Sequence, residues 1–263
     1  MTAPILVTGG TGTLGSLLVP LLREAGHPVR VLSRHARPAA DGVEFVSCDL
    51  LAGEGIDDAL AGAETVVHLA GGPKGDDVAT RNLAGAAART GARHLVYVSV
   101  TGVEGVPMAW LRTKLESERA VADSGVPWTT LRPAQFHSLV LGIVAKMAKM
   151  PVVPAPGALT FQPVDERDVA ARLAELVLGE PAGLVPDLAG PADFTLPELL
   201  RGYLAATGRR RPMLPVRMPG KIGRAYREGR NLARQGAMRG TRTWEDYLAE
   251  HVGSPKEPAT AAR

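Results

Sequence analysis

Gly9-Gly10-Thr11-Gly12-Thr13-Leu14-Gly15 has the residue types and spacing to receive a phosphate. It follows the apolar run Ile5-Leu6-Val7-Thr8 and opens the apolar-periodic segment Leu14–Ala25, so it reads as strand, glycine turn, helix. Glycine at 9, 12 and 15 allows a tight turn and lets a ligand approach the backbone without a Cβ clash. The helix that follows aims its free N–H groups and positive dipole end at the turn. Glycine patterns recur by chance, but a strand before and a helix after are what a dinucleotide fingerprint requires. Gly9, Thr11, Gly12, Thr13, Leu14 and Gly15 are the expected contacts.

The second strand ends Val31-Leu32-Ser33-Arg34. Sites that select NAD place an acid about 20 residues after the glycine turn, on the ribose 2′-hydroxyl. No acid stands here. The Ser33 hydroxyl can bond a 2′-phosphate, and Arg34 can pair with that phosphate or stack on adenine. Arg37 can add to them. The cofactor expected is therefore NADP(H). Asp49, after the third strand, is placed to meet the adenine amino group, although an Asp there also serves as a helix cap.

The elements that must position these residues alternate. Strand-like runs fall at Ile5–Thr8, Pro28–Ser33, Val43–Ser47, Thr65–Leu69, Leu95–Ser99 and Trp128–Leu131. Helix-like runs fall at Leu14–Ala25, Asp76–Thr90, Ala109–Ser124, Val164–Leu178, Leu196–Thr207 and Gly220–Gln235. Asp49–Gly62 is too short and glycine-broken for a long helix. This order predicts an α/β, Rossmann-type doubly wound parallel sheet with a small C-terminal substrate-side region. One domain is expected over 1–263: a dinucleotide-binding core at 1–132, a substrate-side region at 133–252 and a frayed tail at 253–263. In such sheets ligands lie beyond the carboxyl ends of the strands. Those ends are Gly9–Gly15, Ser33–Arg37, Asp49, Ala70–Gly72, Ser99–Thr101 and Pro133–His137.

With 263 residues, 45% of them hydrophobic, the chain is long enough for a full core. A first strand almost at Met1, and no apolar run near the roughly 20 residues that span a bilayer, point to a soluble cytoplasmic protein with no membrane partner. Cys48 is the only cysteine and the six histidines form no metal-spaced pair, so no metal is expected. Asp57-Asp58, Asp76-Asp77 and Asp165 with Asp168 look like helix starts. Net charge is only +3. It is uneven, because twelve Arg and Lys residues crowd Arg201–Arg242 with Glu228 as the single acid. That stretch is either a solvated face or a site for an anionic partner. Nucleic acid is not expected, since the repeated aromatic interleaving of single-strand binders is missing.

Together these residues resemble the short-chain dehydrogenase/reductase superfamily, in its atypical NmrA-like, NAD(P)H-binding branch. The resemblance rests on Thr8–Gly15, Arg34, Cys48-Asp49-Leu50, Val67-His68-Leu69-Ala70-Gly71 and Asn82-Leu83. It continues through Val96-Tyr97-Val98-Ser99, Lys114 with Glu118, and Leu131-Arg132-Pro133-Ala134-Gln135-Phe136. It implies that the cofactor lies across the sheet's carboxyl edge, touching Leu50, Leu69-Ala70-Gly71 and the segment Pro133 to Phe136. It also implies that Lys114 binds the nicotinamide ribose hydroxyls and that Ser99 or Thr101 bonds a substrate oxygen.

One position departs from the family pattern. Members with oxidoreductase activity usually carry Tyr four residues before the active-site Lys, and here that residue is Trp110. Residues i and i+4 share a helix face, so Trp110 fills the proton donor's slot. Indole donates one hydrogen bond but does not titrate as an acid. Ketone reduction by the tyrosine route is therefore disfavoured. Lys114 could act as acid/base if burial and Arg112 lowered its pKa. His137 could supply the proton instead, or be a partly buried loop histidine. His68 reads as structural or as a backbone neighbour of the cofactor. Trp110, Phe136 and His137 are the expected substrate contacts, and Met108, Met147 and Met150 are either an apolar wall or core.

The function expected is an NADPH-dependent reductase passing hydride to a small apolar electrophile such as a quinone, imine or enone. The alternative is a non-catalytic NADP(H)-binding sensor of the NmrA type. A nucleotide-sugar epimerase or dehydratase is weaker, since it needs the same tyrosine. A small-molecule substrate is the expected partner, and the helix at Ala109–Ser124 could pair two copies in a homodimer.

Overall fold

The computed structural model describes residues 2–35, 38–39, 42–72 and 75–252. Arg37 and the tail at 253–263 lie outside the described residues. The chain builds β1 (Ile5–Thr8), α1 (Gly15–Glu24), β2 (Val29–Ser33), β3 (Val43–Ser47), α2 (Ile56–Leu60), β4 (Thr65–His68) and α3 (Asp76–Arg89). It continues with β5 (His94–Val98), α4 (Ala109–Ala122), β6 (Trp128–Leu131), α5 (His137–Met147), β7 (Val153–Pro156), β8 (Thr160–Phe161) and α6 (Glu166–Leu178). Then come β9 (Gly183–Leu184), β10 (Leu188–Ala189), β11 (Phe194–Thr195), α7 (Leu196–Ala206), β12 (Met213–Val216), α8 (Gly220–Arg227), β13 (Met238–Arg239) and α9 (Trp244–Val252).

A seven-stranded parallel sheet runs in the order β3-β2-β1-β4-β5-β6-β9. Its central strands are apolar throughout because helices cover both faces. Alternation sorts them: Val7, Val67, Val96 and Leu131 pack with Leu18 and Leu22 of α1 and Leu173 and Val177 of α6. Leu6, Val66 and Leu95 face the other way, onto Leu83 and Ala87 of α3 and Val121 of α4. The order reverses between β1 and β4, the switch point beside which such sheets open a ligand crevice. No helix of the described residues is long and apolar enough to cross a membrane.

The six expected strands stand within a residue of their sequence bounds, and Asp57-Asp58 and Asp76-Asp77 do open helices. The helix expected at Gly220–Gln235 does not run its length. It ends at Arg227, because Gly229 takes φ 69°, a left-handed conformation that stops a helix. Asp165 caps α6 by accepting from the Arg167 N–H. Asp168 does not cap it, and instead accepts from the backbone of Thr241 and Arg242 and from the Arg242 guanidinium. Arg234 pairs with Asp187 and Arg239 with Asp193. Three arginines of the basic stretch thus clamp the C-terminal arm onto α6 and the β9–β11 region.

Arg132 closes the end of β6. Its guanidinium makes a bidentate pair with Glu118 of α4, at 2.8 and 2.6 Å, and a third bond to Glu104 at 2.7 Å. Arg132 and Glu118 are buried whereas Glu104 is largely exposed. Breaking a buried pair strands a charge at a cost of about 3–5 kcal/mol, while an exposed ion pair contributes under about 1 kcal/mol. Glu118→Gln should therefore lower stability by several times more than Glu104→Gln, as read from urea denaturation midpoints. Equal losses would show that the buried pair is not the tie between α4 and the sheet.

Candidate active site

The turn between β1 and α1 is shaped by close backbone approach. Gly9 has φ 68°, and a Cβ there would lie 2.7 Å from the Ala70 nitrogen. A Cβ on Gly15 would lie 2.3 Å from the Gly9 carbonyl oxygen. Thr11, Gly12 and Thr13 are exposed. Helix α1 has no side-chain cap and no acid in its first turn. Among the described residues the backbone N–H groups of Thr11, Thr13 and Leu14 have no protein acceptor. Bare donors at a positive helix end with no competing carboxylate fit a diphosphate.

At the end of β2, the Ser33 hydroxyl accepts from the His35 N–H at 3.3 Å, and Arg34 is exposed. Asp49 is exposed, with Oδ1 accepting from the Leu51 N–H at 2.9 Å in an Asx turn. Leu50 packs against the core cluster under α3. Ser33 and Arg34 stand one strand spacing from the glycine turn, and Asp49, after the next strand, stands two spacings away.

Across the turn, the Leu69 N–H donates to the Thr8 carbonyl and the Ala70 N–H to Thr8 Oγ1. A Cβ on Gly71 would lie 3.3 Å from Lys114 Nζ, so the segment after β4 and the lysine are direct neighbours. Lys114 Nζ stands 2.9 Å from Asp76 Oδ2 at the start of α3 and donates to the Tyr97 hydroxyl at 3.2 Å. Burial alone would lower the Lys114 pKa, but Tyr97 and Asp76 outweigh it and hold it above the usual lysine value. The expectation that Lys114 could be tuned down into an acid/base is therefore corrected. It is a fixed cation, and Arg112 lies on another face of α4. Tyr97 is raised by burial and remains a phenol.

His68 anchors the same cluster. Its Nδ1 is 2.7 Å from Thr8 Oγ1 and its Nε2 is 3.0 Å from Thr80 Oγ1. The Thr80 hydroxyl already donates to the Asp76 carbonyl, so His68 Nε2 carries the hydrogen and Nδ1 accepts. The ring stacks on Tyr97 at 5.5 Å. It is structural, as one of its two sequence readings had it.

The ends of β5 and β6 run side by side. The Ser99 N–H donates to the Leu131 carbonyl and the Thr101 N–H to the Pro133 carbonyl. Ser99 Oγ, Thr101 Oγ1 and Gln135 Oε1 are buried without a hydrogen-bond partner. A buried polar atom without a partner is free to bond a water or a ligand. Trp110, 45% exposed, stands one turn before Lys114 in α4. Pro133 bridges to Leu188, and Phe136 bridges to Val164 at the start of α5.

His137 is not brought to this edge. It is 0% exposed, its Nε2 sits 3.1 Å from the Pro163 carbonyl, and it packs on Trp244 and Tyr247 of α9. Burial lowers its pKa despite Asp165 and Glu166 nearby. A buried neutral imidazole cannot hand a proton to a ligand at the sheet edge, so its expected roles in catalysis and substrate contact are corrected. Met147 packs with α5 and α7, and Met108 with Leu111 and Ala225, so the methionines form no single wall. Sequence reasoning missed Asp76 and Tyr97. Asp76 was read as a helix start only, and its contact with Lys114 crosses from α3 to α4.

The family model described as NAD(P)H-binding matches residues 9–178. The chain belongs to this family. Its place is with the atypical, NmrA-like members of the short-chain dehydrogenase/reductase superfamily, and it is an oxidoreductase that uses NAD(P)H. It is 32% identical to the (4-alkanoyl-5-oxo-2,5-dihydrofuran-3-yl)methyl phosphate reductase of Streptomyces griseus, over 94% of this chain and 98% of that protein. It is also 32% identical to the NAD(P)H azoreductase of Xenophilus azovorans, over 78% of this chain and 74% of that one. The NADPH-dependent quinone oxidoreductase of Escherichia coli, solved with NADPH, superposes with a TM-score of 0.73 at 20% identity over 95% of each chain. That likeness shows the fold.

The His68 geometry has a pH consequence. Burial holds its pKa down at about 3, with Lys114 adding to the effect, against 6.5 for a free imidazole. Between those values the unfolded chain binds a proton that the native state refuses, so acidification favours unfolding. The slope is at most about 1.4 kcal/mol per pH unit from this group. Stability should therefore fall as pH drops below about 6.5, and His68→Gln should fall less steeply in urea titrations from pH 7 to pH 4. Parallel slopes would remove His68 from the acid response.

Proposed function

We propose that this chain reduces a small, largely apolar conjugated electrophile, an enone or quinone, with NADPH as its preferred reductant. The observation that carries the reading is the meeting of Gly71, Lys114 and Asp76 at the sheet edge, within a turn of Trp110. Bound there, NADPH would supply the hydride. Lys114, held charged, donates to the ribose hydroxyls. Ser99 Oγ and Thr101 Oγ1 donate to the acceptor oxygen as negative charge gathers on it. Trp110 covers the acceptor with an apolar ring. A conjugated acceptor spreads the incoming electron pair over its own oxygen, and the resulting enolate or hydroquinone anion takes its proton from water. No titrating side chain is needed in the slot that Trp110 fills. The named relatives support reduction of acceptors of this general kind.

Preference for the 2′-phosphate rests on Ser33 and Arg34, with no acid at the strand end. A charge-assisted bond contributes about 1.5–3 kcal/mol, roughly 10- to 100-fold in affinity. Calorimetry should show NADPH binding more tightly than NADH, and Arg34→Asp should cost NADPH that factor while affecting NADH little. Equal affinities in the unaltered protein would end this part of the reading. With NADPH and a panel of enones and quinones, turnover should appear and drop at least 100-fold in Lys114→Ala. Tight NADPH binding without turnover on any acceptor would favour the regulator instead.

A further inference from the structure

A second feature lies beside the reactive edge. A cleft of about 800 Å³ opens between the loop after β5, the first turns of α4, and α8. That is within the usual range for small-molecule sites. Its floor is apolar, with Val106 and Met108 joining the cluster that seats Leu111 and Ala225. Its walls carry Arg112, Lys221 and Arg224, all exposed. Among the described residues no carboxylate lies within ion-pair distance of these three. The cleft's own acids are already engaged, Glu104 with Arg132 and Glu228 with Arg230. Lys221 and Arg224 also line an adjoining cleft with Arg217 and Arg227, so the positive potential extends outward along α8.

We propose that this cleft binds a phosphate monoester, the anionic end of the substrate, through Arg112, Lys221 and Arg224. An apolar floor with unpaired cations on one rim suits a molecule that is apolar in the body and doubly negative at one tip. Guanidinium groups grip phosphate through two parallel bonds, and an ammonium adds a point charge. The place in the chain supports the assignment. Val103, at the cleft, is two residues past Thr101, so the two Cα atoms stand within about 7 Å. Met108, at its other end, is two residues before Trp110. A molecule with its acceptor oxygen at Thr101 would extend along Val103 to meet the cations, on a face of α4 other than the one that carries Trp110 and Lys114.

The cofactor's own phosphates do not explain the cleft. No glycine-turn residue lines it, and β5 stands two strands from β1 in the sheet, about 10 Å away. A nucleic-acid strand is a poorer fit, because no aromatic side chain lines either cleft for bases to stack on. The inference rests on the reductase reading for what happens to the bound molecule, but not for the binding itself.

Two measurements on the full chain, saturated with NADPH, test it. In calorimetry, phenyl phosphate should bind and phenol should not. Arg112→Ala and Arg224→Ala should each weaken phenyl phosphate at least tenfold, and Arg224→Lys should lose less. In turnover, an acceptor of the (4-alkanoyl-5-oxo-2,5-dihydrofuran-3-yl)methyl phosphate type is compared with its free alcohol. The phosphate ester should have the higher kcat/KM, and Arg224→Ala should shrink that ratio at least tenfold, chiefly through KM. If phenyl phosphate binds the unaltered protein and Arg224→Ala alike, or if single-stranded DNA binds more tightly and is lost in the same variants, the proposal is wrong. If no acceptor turns over yet phenyl phosphate binding depends on Arg112 and Arg224, the reductase reading fails and the anion site stands. If the free alcohol is reduced as well as its phosphate ester, the reductase reading stands and the anion site fails.

Discussion

One ammonium group ties α3, α4 and β5 together at the carboxyl edge of the sheet. Lys114 Nζ comes from α4, the carboxylate 2.9 Å away from the start of α3, and the phenol 3.2 Å away from β5. Each partner is placed where local physics favours it. Asp76 sits in the first turn of a helix, where negative charge is stabilised. Tyr97 projects to the helix-covered face of the sheet, with its ring on His68. His68 in turn receives the Thr8 hydroxyl hydrogen, and Thr8 Oγ1 accepts from the Ala70 N–H. An unbroken line of contacts thus runs from Lys114 to the residue that precedes the glycine turn. The lysine is buried enough that removing its carboxylate would strand a charge, so the cluster stays closed as a unit.

The same cluster limits the chemistry. A lysine whose pKa is raised cannot take a proton near neutrality, and a phenol buried against His68 cannot reach a ligand. Trp110 offers a hydrogen bond and a surface, but no acid. What remains is positioning: a fixed cation, two unpartnered hydroxyls and an indole. On the function proposed above, such an edge would favour acceptors that stabilise the added electron pair themselves over simple ketones, whose alkoxide must be protonated as it forms.

Much of this was legible in the sequence where the pattern is local. The strands of the first half are apolar runs closed by Gly or Pro, and the glycine turn sits between a strand and a helix, so both follow from residue types alone. The later elements hid for physical reasons. Helix α5 is apolar nearly all round and starts at His137 with no Ser, Thr, Asp or Asn to cap it, so its periodicity and its beginning are both faint. Strand β9 is only Gly183–Leu184, held in the sheet by pairing to Thr129 and Thr130 rather than by any propensity of its own. The contact between Asp76 and Lys114 joins two helices, and nothing in the spacing of either residue announces it. His137 misled because an edge-segment histidine looks available until α9 folds over it.

The basic stretch resolves into two populations that composition cannot separate. Arg234, Arg239 and Arg242 each meet an acid from the body of the fold, and the bonds to Asp187 and Asp168 also involve backbone N–H groups. These arginines are tethers, and their spacing follows the path of the arm over α6 and the β9–β11 region. Arg217, Lys221 and Arg224 belong to the other population. Helix α8 is seated by Ile222, Ala225 and Tyr226 on the loop after β5, which leaves its charged side facing the clefts. Gly102 and Gly105 let the chain just past α8 close on the same loop, since a Cβ on either would lie 2.8 Å from an Asn231 or Arg230 atom. The arm therefore lies directly against the loop that follows Thr101, and the tethers on one part of the stretch fix where the unpaired cations of the other part stand.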